Sequence, residues 1–196
     1  MREFIYYSKE AITTGNFDLS NLMKAGRMDI ACNVVISVFF LSHAIRDDVK
    51  LHLIFEGQPN PPAHLIFEYD KEMPISKKDI GGLIKRMLYK LPKDSKDGLR
   101  KIFPGCFIEK KGFEVLIKEL DKEGKNVFIL SKKGEDIRKL KFKGNEVFII
   151  GDHQGFPKDK EKFIKNIEKI SIGKKTYFAS QTITIINNEV DRQIEN

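Results

Sequence analysis

The amino-acid sequence predicts an α/β fold in which a mostly parallel sheet is flanked by helices. Apolar segments of strand length alternate with segments of helical periodicity along most of the 196 residues. Residues 126–130 and 146–150 are apolar at successive positions, as in strands that are buried on both faces. Because the sequence has no internal repeat and no long linker, we expect residues 1–196 to form a single domain.

The first half of the chain contains three predicted strands and two predicted helices. Apolar residues at helical spacing begin at residue 28 and predict a helix that continues to residue 45. A capping pattern at residues 76–79 predicts a second helix that ends near residue 91. Three prolines within residues 57–62 indicate a turn, because proline donates no hydrogen bond to a strand ladder. The strands are predicted at residues 1–7, 50–56 and 63–68, the last two in one sheet.

The second half of the chain continues the alternation of strands and helices. A basic stretch punctuated by glycine and proline, residues 97–105, predicts an irregular connection. An amphipathic helix at residues 113–122 ends at Gly124, and glycine is favoured directly after helices. The remaining predicted elements are strands at residues 126–130, 146–150 and 167–172 and helices at residues 160–166 and 176–194.

The composition narrows the possible functions. The net charge of +7 favours an anionic partner such as RNA, although solubility alone also explains a surplus of lysine. Two cysteines, Cys32 and Cys106, and four scattered histidines show no metal-ligand spacing, so no metal is expected. No apolar segment reaches the roughly 18 residues of a membrane helix, and the charged N-terminus does not resemble an export signal. We therefore expect a cytoplasmic protein that does not enter a membrane.

The stretch GDHQG, residues 151–155, follows an apolar strand, and loops at this position hold ligands in parallel α/β sheets. By itself it is more typical of an ordinary turn between a strand and a helix. Together with strand exits at residues 128–131 and 170–181, however, it resembles the C-terminal half of the SPOUT methyltransferases. Four segments in order make nearly the whole chain similar to the TrmY family, the archaeal tRNA (pseudouridine(54)-N1)-methyltransferases. They are GRMDIACNVV (26–35), FFLSHAIRDDV (39–49), GQPNPP (57–62) and GDHQGF (151–156).

This resemblance implies an enzyme that methylates N1 of pseudouridine 54 in the tRNA T-arm and uses S-adenosylmethionine. It also implies a homodimer and a trefoil knot in the C-terminal region, about residues 126–196. Gly151 is expected where a side chain would block the bent methionine part of the cofactor. Two alternatives stay open: methylation of pseudouridine in ribosomal RNA, and a knotted RNA-binding protein without catalysis. The implied cofactor residues are Leu130, Gly151, Ile172, Gly173, Tyr177, Phe178, Ala179 and Ser180.

Asp29 and Arg27 are the candidate catalytic residues. N1 of pseudouridine becomes nucleophilic only as its proton leaves, so the reaction needs a proton acceptor and a group that stabilises negative charge. We assign the first role to Asp29 and give Arg27 the second, or a contact with RNA phosphate. An equally good interpretation is that Asp29 complements the dipole of the helix and Arg27 pairs with it. His153 is an alternative base.

RNA is expected to lie on the basic surface of the protein. The turn GQPNPP fits a rigid structural element slightly better than an RNA contact. In the TrmY family a cysteine often follows the segment Ala-Ser-Gln, whereas this chain has Thr182 there, which argues against a covalent cysteine mechanism. The candidate RNA-binding group comprises Arg46, Lys85, Arg86, Arg100 and Lys101.

Overall fold

One eight-stranded sheet forms the centre of the protein in a computed structural model, which describes residues 1–194. The last two residues of the predicted domain and of the predicted cofactor region therefore lie outside the described part. The strands are β1 (Arg2–Ser8), β2 (Val49–Phe55), β3 (Ala63–Glu68), β4 (Arg100–Phe103), β5 (Cys106–Glu109), β6 (Asn126–Asp136), β7 (Glu146–Gly151) and β8 (Glu168–Ser171). The helices are α1 (Met28–Phe39), α2 (Ile80–Leu88), α3 (Phe113–Lys122), α4 (Lys158–Ile164) and α5 (Ala179–Ile194).

The sheet is parallel on one side and antiparallel on the other. Its strand order is β4-β5-β3-β2-β1-β7-β6-β8, and all neighbours from β2 to β8 run parallel. The strands β3, β5 and β4 add antiparallel pairs. The connections within the β2–β3 and β4–β5 pairs are short, as only antiparallel neighbours allow. The predicted α/β fold with a mostly parallel sheet flanked by helices is confirmed.

Helices cover both faces of the sheet. On one face α1, α2 and α5 pack on the sheet, and Met28, Leu83 and Ile186 are fully buried there beside Phe4. On the other face α3 and α4 cover an apolar cluster that includes Phe113. The central strand β1 is buried along its whole length, which explains its apolar residues at successive positions.

Several predicted elements were wrong in extent or type. The strand predicted at residues 126–130 continues, through an irregularity between Leu130 and Glu135, to Asp136, and the last helix begins at Ala179 and not at residue 176. The first helix ends at Phe39, because Phe40 is extended and pairs with Ile45 across a short turn. The second helix begins only at Ile80, and the side chain of Asp79 accepts no capping hydrogen bond. Residues 97–105 are no irregular connection, since they include β4, which forms a hairpin with β5 at the edge of the sheet. Edge strands tolerate the charged residues that hid this strand from the apolar pattern.

A chain of buried polar side chains crosses four strands on the α3 face. His52 Nε2 lies 2.9 Å from Glu3 Oε2, His52 Nδ1 lies 2.9 Å from His64 Nε2, and His64 Nδ1 lies 2.9 Å from Glu109 Oε1. Three hydrogen bonds need three protons and two neutral rings supply two, so one of these contacts is not a hydrogen bond while both carboxylates are ionised. The ammonium of Lys111 lies 3.0 Å from the same Glu109 oxygen and adds positive charge at that end. Burial lowers the pKa of both histidines, that of His64 to about 4.

Lys125 closes the other end of this chain. Its Nζ lies 2.5 Å from Glu3 Oε1. Burial by itself raises the pKa of Glu3, but hydrogen bonds from His52 and Lys125 outweigh it and lower the pKa to about 2. Both ends of the chain thus carry a carboxylate matched by a lysine, which is how a buried ionic group is tolerated.

We expect the free energy of unfolding to fall as the pH drops from about 6.5 to about 4. In this window the unfolded chain protonates His64 while the folded chain resists it, so acid favours the unfolded state. The shift corresponds to a loss on the order of 3 kcal/mol, and Glu3 adds a further loss below about pH 4.5. Urea unfolding at pH 7, 5.5 and 4 measures the effect. His64→Gln should flatten the pH dependence, whereas the exposed-site control His43→Gln should not; equal slopes in both variants would contradict the assignment.

Candidate active site

A cavity of about 520 Å³ lies at the carboxyl ends of β7 and β8 and beside residues 130–132 of β6. Its volume falls in the range of cofactor sites, roughly 300–1,000 Å³. A second hollow of about 500 Å³, near residues 40–45 and 69–77, lies away from these strand exits. Seven of the eight predicted cofactor residues line the cavity at the strand exits, and Ser180 does not. The seven are Leu130, Gly151, Ile172, Gly173, Tyr177, Phe178 and Ala179.

Gly151, the last residue of β7, is packed closely against the loop that follows it. A Cβ atom placed on Gly151 would lie 3.0 Å from the Phe156 ring and 3.3 Å from the Cα of Gly155. The loop therefore folds back tightly on itself, and backbone faces the cavity at this point. This geometry fits a cofactor whose adenosine and methionine parts are held by backbone groups and apolar side chains.

Asp152 joins the exits of the two central strands. Its buried carboxylate accepts hydrogen bonds from the Ser8 hydroxyl at 3.1 Å and the Lys9 backbone N–H at 3.2 Å. The other carboxylate oxygen accepts from the backbone N–H of Gln154 at 2.8 Å. Because Ser8 ends β1 and Gln154 belongs to the loop after β7, one side chain fixes both loops relative to each other.

Arg27 and Asp29 lie at the start of α1, and neither is among the residues that line the cavity. Arg27 Nε donates to Asp29 Oδ1 at 3.0 Å and Arg27 Nη2 donates to Asp29 Oδ2 at 2.9 Å, so the pair is bidentate. The next residue, Ile30, lines the cavity. Arg27 has a φ of 62°, and it is the one residue other than glycine in the left-handed region among residues 1–194. The hydrogen bond from Arg27 lowers the pKa of Asp29, which therefore stays ionised at neutral pH.

Sequence reasoning missed several residues of the cavity wall. Phe156 stacks on Tyr7 with ring centroids 5.2 Å apart, and Ile30 reaches the wall from a distant helix. Thr182, where the resembling family often has cysteine, is buried in the wall. No local pattern marks such residues, because only the folded chain brings them to the strand exits. His153, the alternative base, is exposed on the rim.

The two cysteines are unsuited to nucleophilic catalysis. Cys32 and Cys106 are buried, and burial raises the pKa of each thiol to about 12. A thiol with this pKa is protonated at neutral pH and is a poor nucleophile.

Within residues 1–194 the structure shows neither a metal-ligand group nor a membrane-spanning helix. Within residues 1–194, no three His, Cys, Asp or Glu side chains are grouped so that they could hold a metal ion. No helix in the same part of the chain is long and apolar enough to cross a membrane.

Comparison with known proteins places the chain in a family. Residues 1–194 match the family described as "Putative SAM-dependent RNA methyltransferase", and the chain belongs to this family. The resemblance to the TrmY family drawn from the four motifs is thereby confirmed.

Named relatives and a solved structure agree with this class. The chain is 38% identical, over 99% of its length and 98% of the relative's, to the tRNA (pseudouridine(54)-N(1))-methyltransferase of Methanococcoides burtonii. It is 37% identical to the protein of the same name from Methanocaldococcus jannaschii, with 98% of each chain covered. The crystal structure of Archaeoglobus fulgidus Nep1 bound to S-adenosylhomocysteine has the same fold, with a TM-score of 0.67, 14% identity and 99% of each chain covered.

Replacing Asp152 with Asn should loosen the cavity rim. The amide nitrogen of Asn cannot accept a hydrogen bond, so at least one of the three donors loses its partner, at a cost of about 1–3 kcal/mol. We expect lower stability in urea together with weaker binding of S-adenosylmethionine in calorimetry. Asp121→Asn, at an exposed carboxylate on α3, is the matched control and should change neither quantity. Unchanged cofactor affinity in Asp152→Asn would show that the tie does not shape the cavity.

Proposed function

We propose that this protein transfers the methyl group of S-adenosylmethionine to N1 of pseudouridine 54 in the T-arm of tRNA. The observation that carries the proposal is the cavity at the ends of β7 and β8 and beside residues 130–132 of β6, whose wall includes Ile30, the residue after Asp29. The named relatives share nearly the full length of the chain, which supports the same substrate. A tRNA substrate also supports action in the cytoplasm.

The reaction requires that N1 of pseudouridine is aligned with the methyl group, that its proton is removed, and that the developing negative charge is stabilised. S-adenosylmethionine, when bound, supplies an electrophilic methyl group on a sulfonium. The N1 lone pair of pseudouridine forms the new N–C bond as the C–S bond breaks, and the N1 proton passes to a base. Negative charge that spreads onto the ring oxygens during this step needs a positive group nearby.

Asp29 and Arg27 can supply both functions from one place. The ionised Asp29 can accept the N1 proton directly or through a water molecule, and Arg27 can face the developing charge. The alternative is structural: Asp29 lies in the first turn of α1 and complements its dipole while it pairs with Arg27. The strained backbone of Arg27 favours the functional interpretation, because residues in such conformations cluster at active sites.

The candidate RNA-binding residues differ in whether their charged groups are already bound by other groups of the protein. Arg46 is mostly buried and bound through both terminal nitrogens to Asp191, so it is a structural residue. Lys85 donates to the backbone carbonyl of Phe17. Arg86 pairs with Asp79, and Arg100 pairs with Asp97; both pairs are exposed. Lys101 is exposed on the edge strand β4, so Arg86, Arg100 and Lys101 remain the RNA candidates of this group.

A homodimer and a C-terminal knot also belong to the proposal and rest on the resemblance. Ile183 and Ile186 of α5 are buried within the chain, so they are not free for a partner. The exposed Leu41 and Ile45, beside the hollow between α1 and α5, support an interface there instead. The knot rests on the resemblance alone. Gln193 of α5 donates to the Leu140 carbonyl and accepts from the Phe142 N–H, which holds α5 against the loop after β6.

Methyl transfer to two synthetic T-arm hairpins tests the function. One hairpin carries pseudouridine at position 54 and the other carries uridine, and the methyl group of S-adenosylmethionine is labelled. Label on the pseudouridine hairpin alone is the expected result. Label on neither hairpin nor on full-length tRNA that carries pseudouridine 54, with the cofactor still bound, would exclude the tRNA target and leave ribosomal RNA. Failure to bind the cofactor would favour an RNA-binding protein without catalysis.

Asp29→Asn should lower kcat on the pseudouridine hairpin by about 10²–10⁴, the usual contribution of a general base. Binding of S-adenosylmethionine should stay close to wild type, because Asn keeps the shape of the side chain. Loss of the Arg27–Asp29 ion pair should lower the stability by about 0.3–1 kcal/mol under either interpretation, whereas a purely structural role predicts an unchanged kcat. Asp121→Asn again serves as the control, and single-turnover methyl transfer is the measurement.

A further inference from the structure

We propose that the surface formed by Tyr89, Lys90, Lys93 and Lys96, here called the Tyr89 patch, binds the body of the tRNA beyond the T-arm. The inference rests on the proposed tRNA substrate and adds a second contact region to it. The patch lies at the end of α2, on the antiparallel side of the sheet. Helix α2 packs on β5, and β7 ends at the cavity. Four strand intervals separate β5 from β7, which corresponds to roughly 19 Å.

The ring of Tyr89 packs on the protein backbone and is also largely exposed to solvent. It is 58% exposed, which is unusual for a large aromatic residue. A Cβ atom on Gly15 would lie 2.5 Å from Tyr89 Cδ2, so the ring packs directly on the backbone of Gly15. Gly15 belongs to the loop that follows β1, at the same end of the sheet as the cavity. A ring held in this way offers a preorganised surface for a base, because nucleobases stack on exposed aromatic side chains.

The ammonium groups of the patch lysines are unpaired among the residues that the structure describes. Lys90, Lys93 and Lys96 are exposed, and none of their ammonium groups forms an ion pair with a residue in the range 1–194. The neighbouring carboxylates are engaged elsewhere: Asp94 caps the turn at Lys96 N, and Asp97 binds Arg100. This capped turn also fixes the backbone that carries Lys93 and Lys96.

The less exposed lysines on the α3 face, unlike those of the Tyr89 patch, form ion pairs. On the α3 face, Lys111, Lys125 and Lys160 each bind at least one carboxylate. At the cavity, Lys132 and Lys175 line the wall and can meet the RNA next to the target base. The Tyr89 patch lies about four strand intervals, roughly 19 Å, from the strand that ends at the cavity, so it meets other nucleotides than the target base and its immediate neighbours. Its free positive charge beside an aromatic surface therefore fits a second segment of the RNA.

One loop connects the two regions. Residues 9–26 run from the cavity rim, where Gln154 Nε2 donates to Glu10 Oε1 at 2.8 Å, to Gly15 beneath Tyr89. The turn GQPNPP holds this loop, since Thr13 donates its hydroxyl to the Gly57 carbonyl at 2.8 Å and accepts from Asn60 N–H at 2.7 Å. These hydrogen bonds fix the backbone between the cavity and the patch. A fixed separation is what simultaneous binding of two segments of one folded RNA requires.

The experiment compares full-length tRNA with the T-arm hairpin, both carrying pseudouridine 54. Lys90→Glu, Lys93→Glu and Lys96→Glu are combined in one variant, and Lys118→Glu, Lys122→Glu and Lys165→Glu form a control of equal charge on the opposite face of the sheet. We expect the first variant to lose at least tenfold in kcat/KM on tRNA and less than twofold on the hairpin. The control should lose less than twofold on both. An equal loss on the two substrates, or equal losses in the two variants, would overturn the proposal.

Tyr89 supplies an independent measurement. Tyr89→Ala should weaken binding of full-length tRNA about tenfold in a filter-binding assay, and Tyr89→Phe should restore it, because stacking needs the ring alone. The slope of log affinity against log salt should fall by about one for each patch lysine changed to Gln. Wild-type affinity in Tyr89→Ala would overturn the stacking role. Binding is read without methyl transfer, so an inactive wild-type enzyme would refute the proposed function and leave this test intact.

Discussion

The parallel alignment of β1 and β7 is the constraint on which the site depends. Tyr7 pairs with Gly151, so both strands end at the same level and their loops leave the sheet side by side. Two loops that leave a sheet together would separate without a connection, and the buried carboxylate of Asp152 provides one through Ser8 and Lys9. The positions of the cavity wall, the rim and the start of α1 all depend on this carboxyl end of the two strands.

Buried ionic groups fix the remaining elements to the sheet. The guanidinium of Arg2 on β1 binds Asp191 at 2.8 Å and the carbonyl of Asn187 at 3.1 Å, and it also pairs with Asp48. Through Arg2 and Arg46, α5 is tied to both β1 and the segment before β2. Removing one partner from such a cluster leaves a buried charge unpaired, which costs far more than the pair contributes. The C-terminal helix, whose first residues line the cavity, is held at its far end by these pairs.

The sequence predicted the parallel half of the sheet well because its strands are buried on both faces. Residues such as Phe148 and Ile149 of β7 are apolar at successive positions, and this signal needs no knowledge of the neighbours. It failed at β4, whose sequence Arg-Lys-Ile-Phe is half charged because it forms an edge. It also failed after Phe39, where apolar residues continue but the backbone turns to pair Phe40 with Ile45.

Much of the candidate site followed from the resemblance, and the rest could not follow from any local pattern. The strand exits at Leu130, Gly151 and Ile172 come from sequence, whereas Ile30 and Phe156 enter the wall only through packing. The bidentate form of the Arg27–Asp29 pair depends on a backbone conformation that no composition predicts.

The loop of residues 9–26 shows how the fold bears the strain at Arg27. A Cβ atom on Gly26 would lie 1.8 Å from the Glu10 carbonyl oxygen, and one on Gly57 would lie 2.4 Å from the same atom. The backbone of Glu10 is therefore enclosed between two glycines that admit no side chain. Because Gly26 also has a positive φ of 66°, the chain enters Arg27 along a path that the surrounding backbone fixes. A strained residue persists only where its surroundings over-determine it. The same enclosure holds the loop under Tyr89, so the geometry of the Arg27–Asp29 pair and that of the distant aromatic surface rest on one piece of backbone.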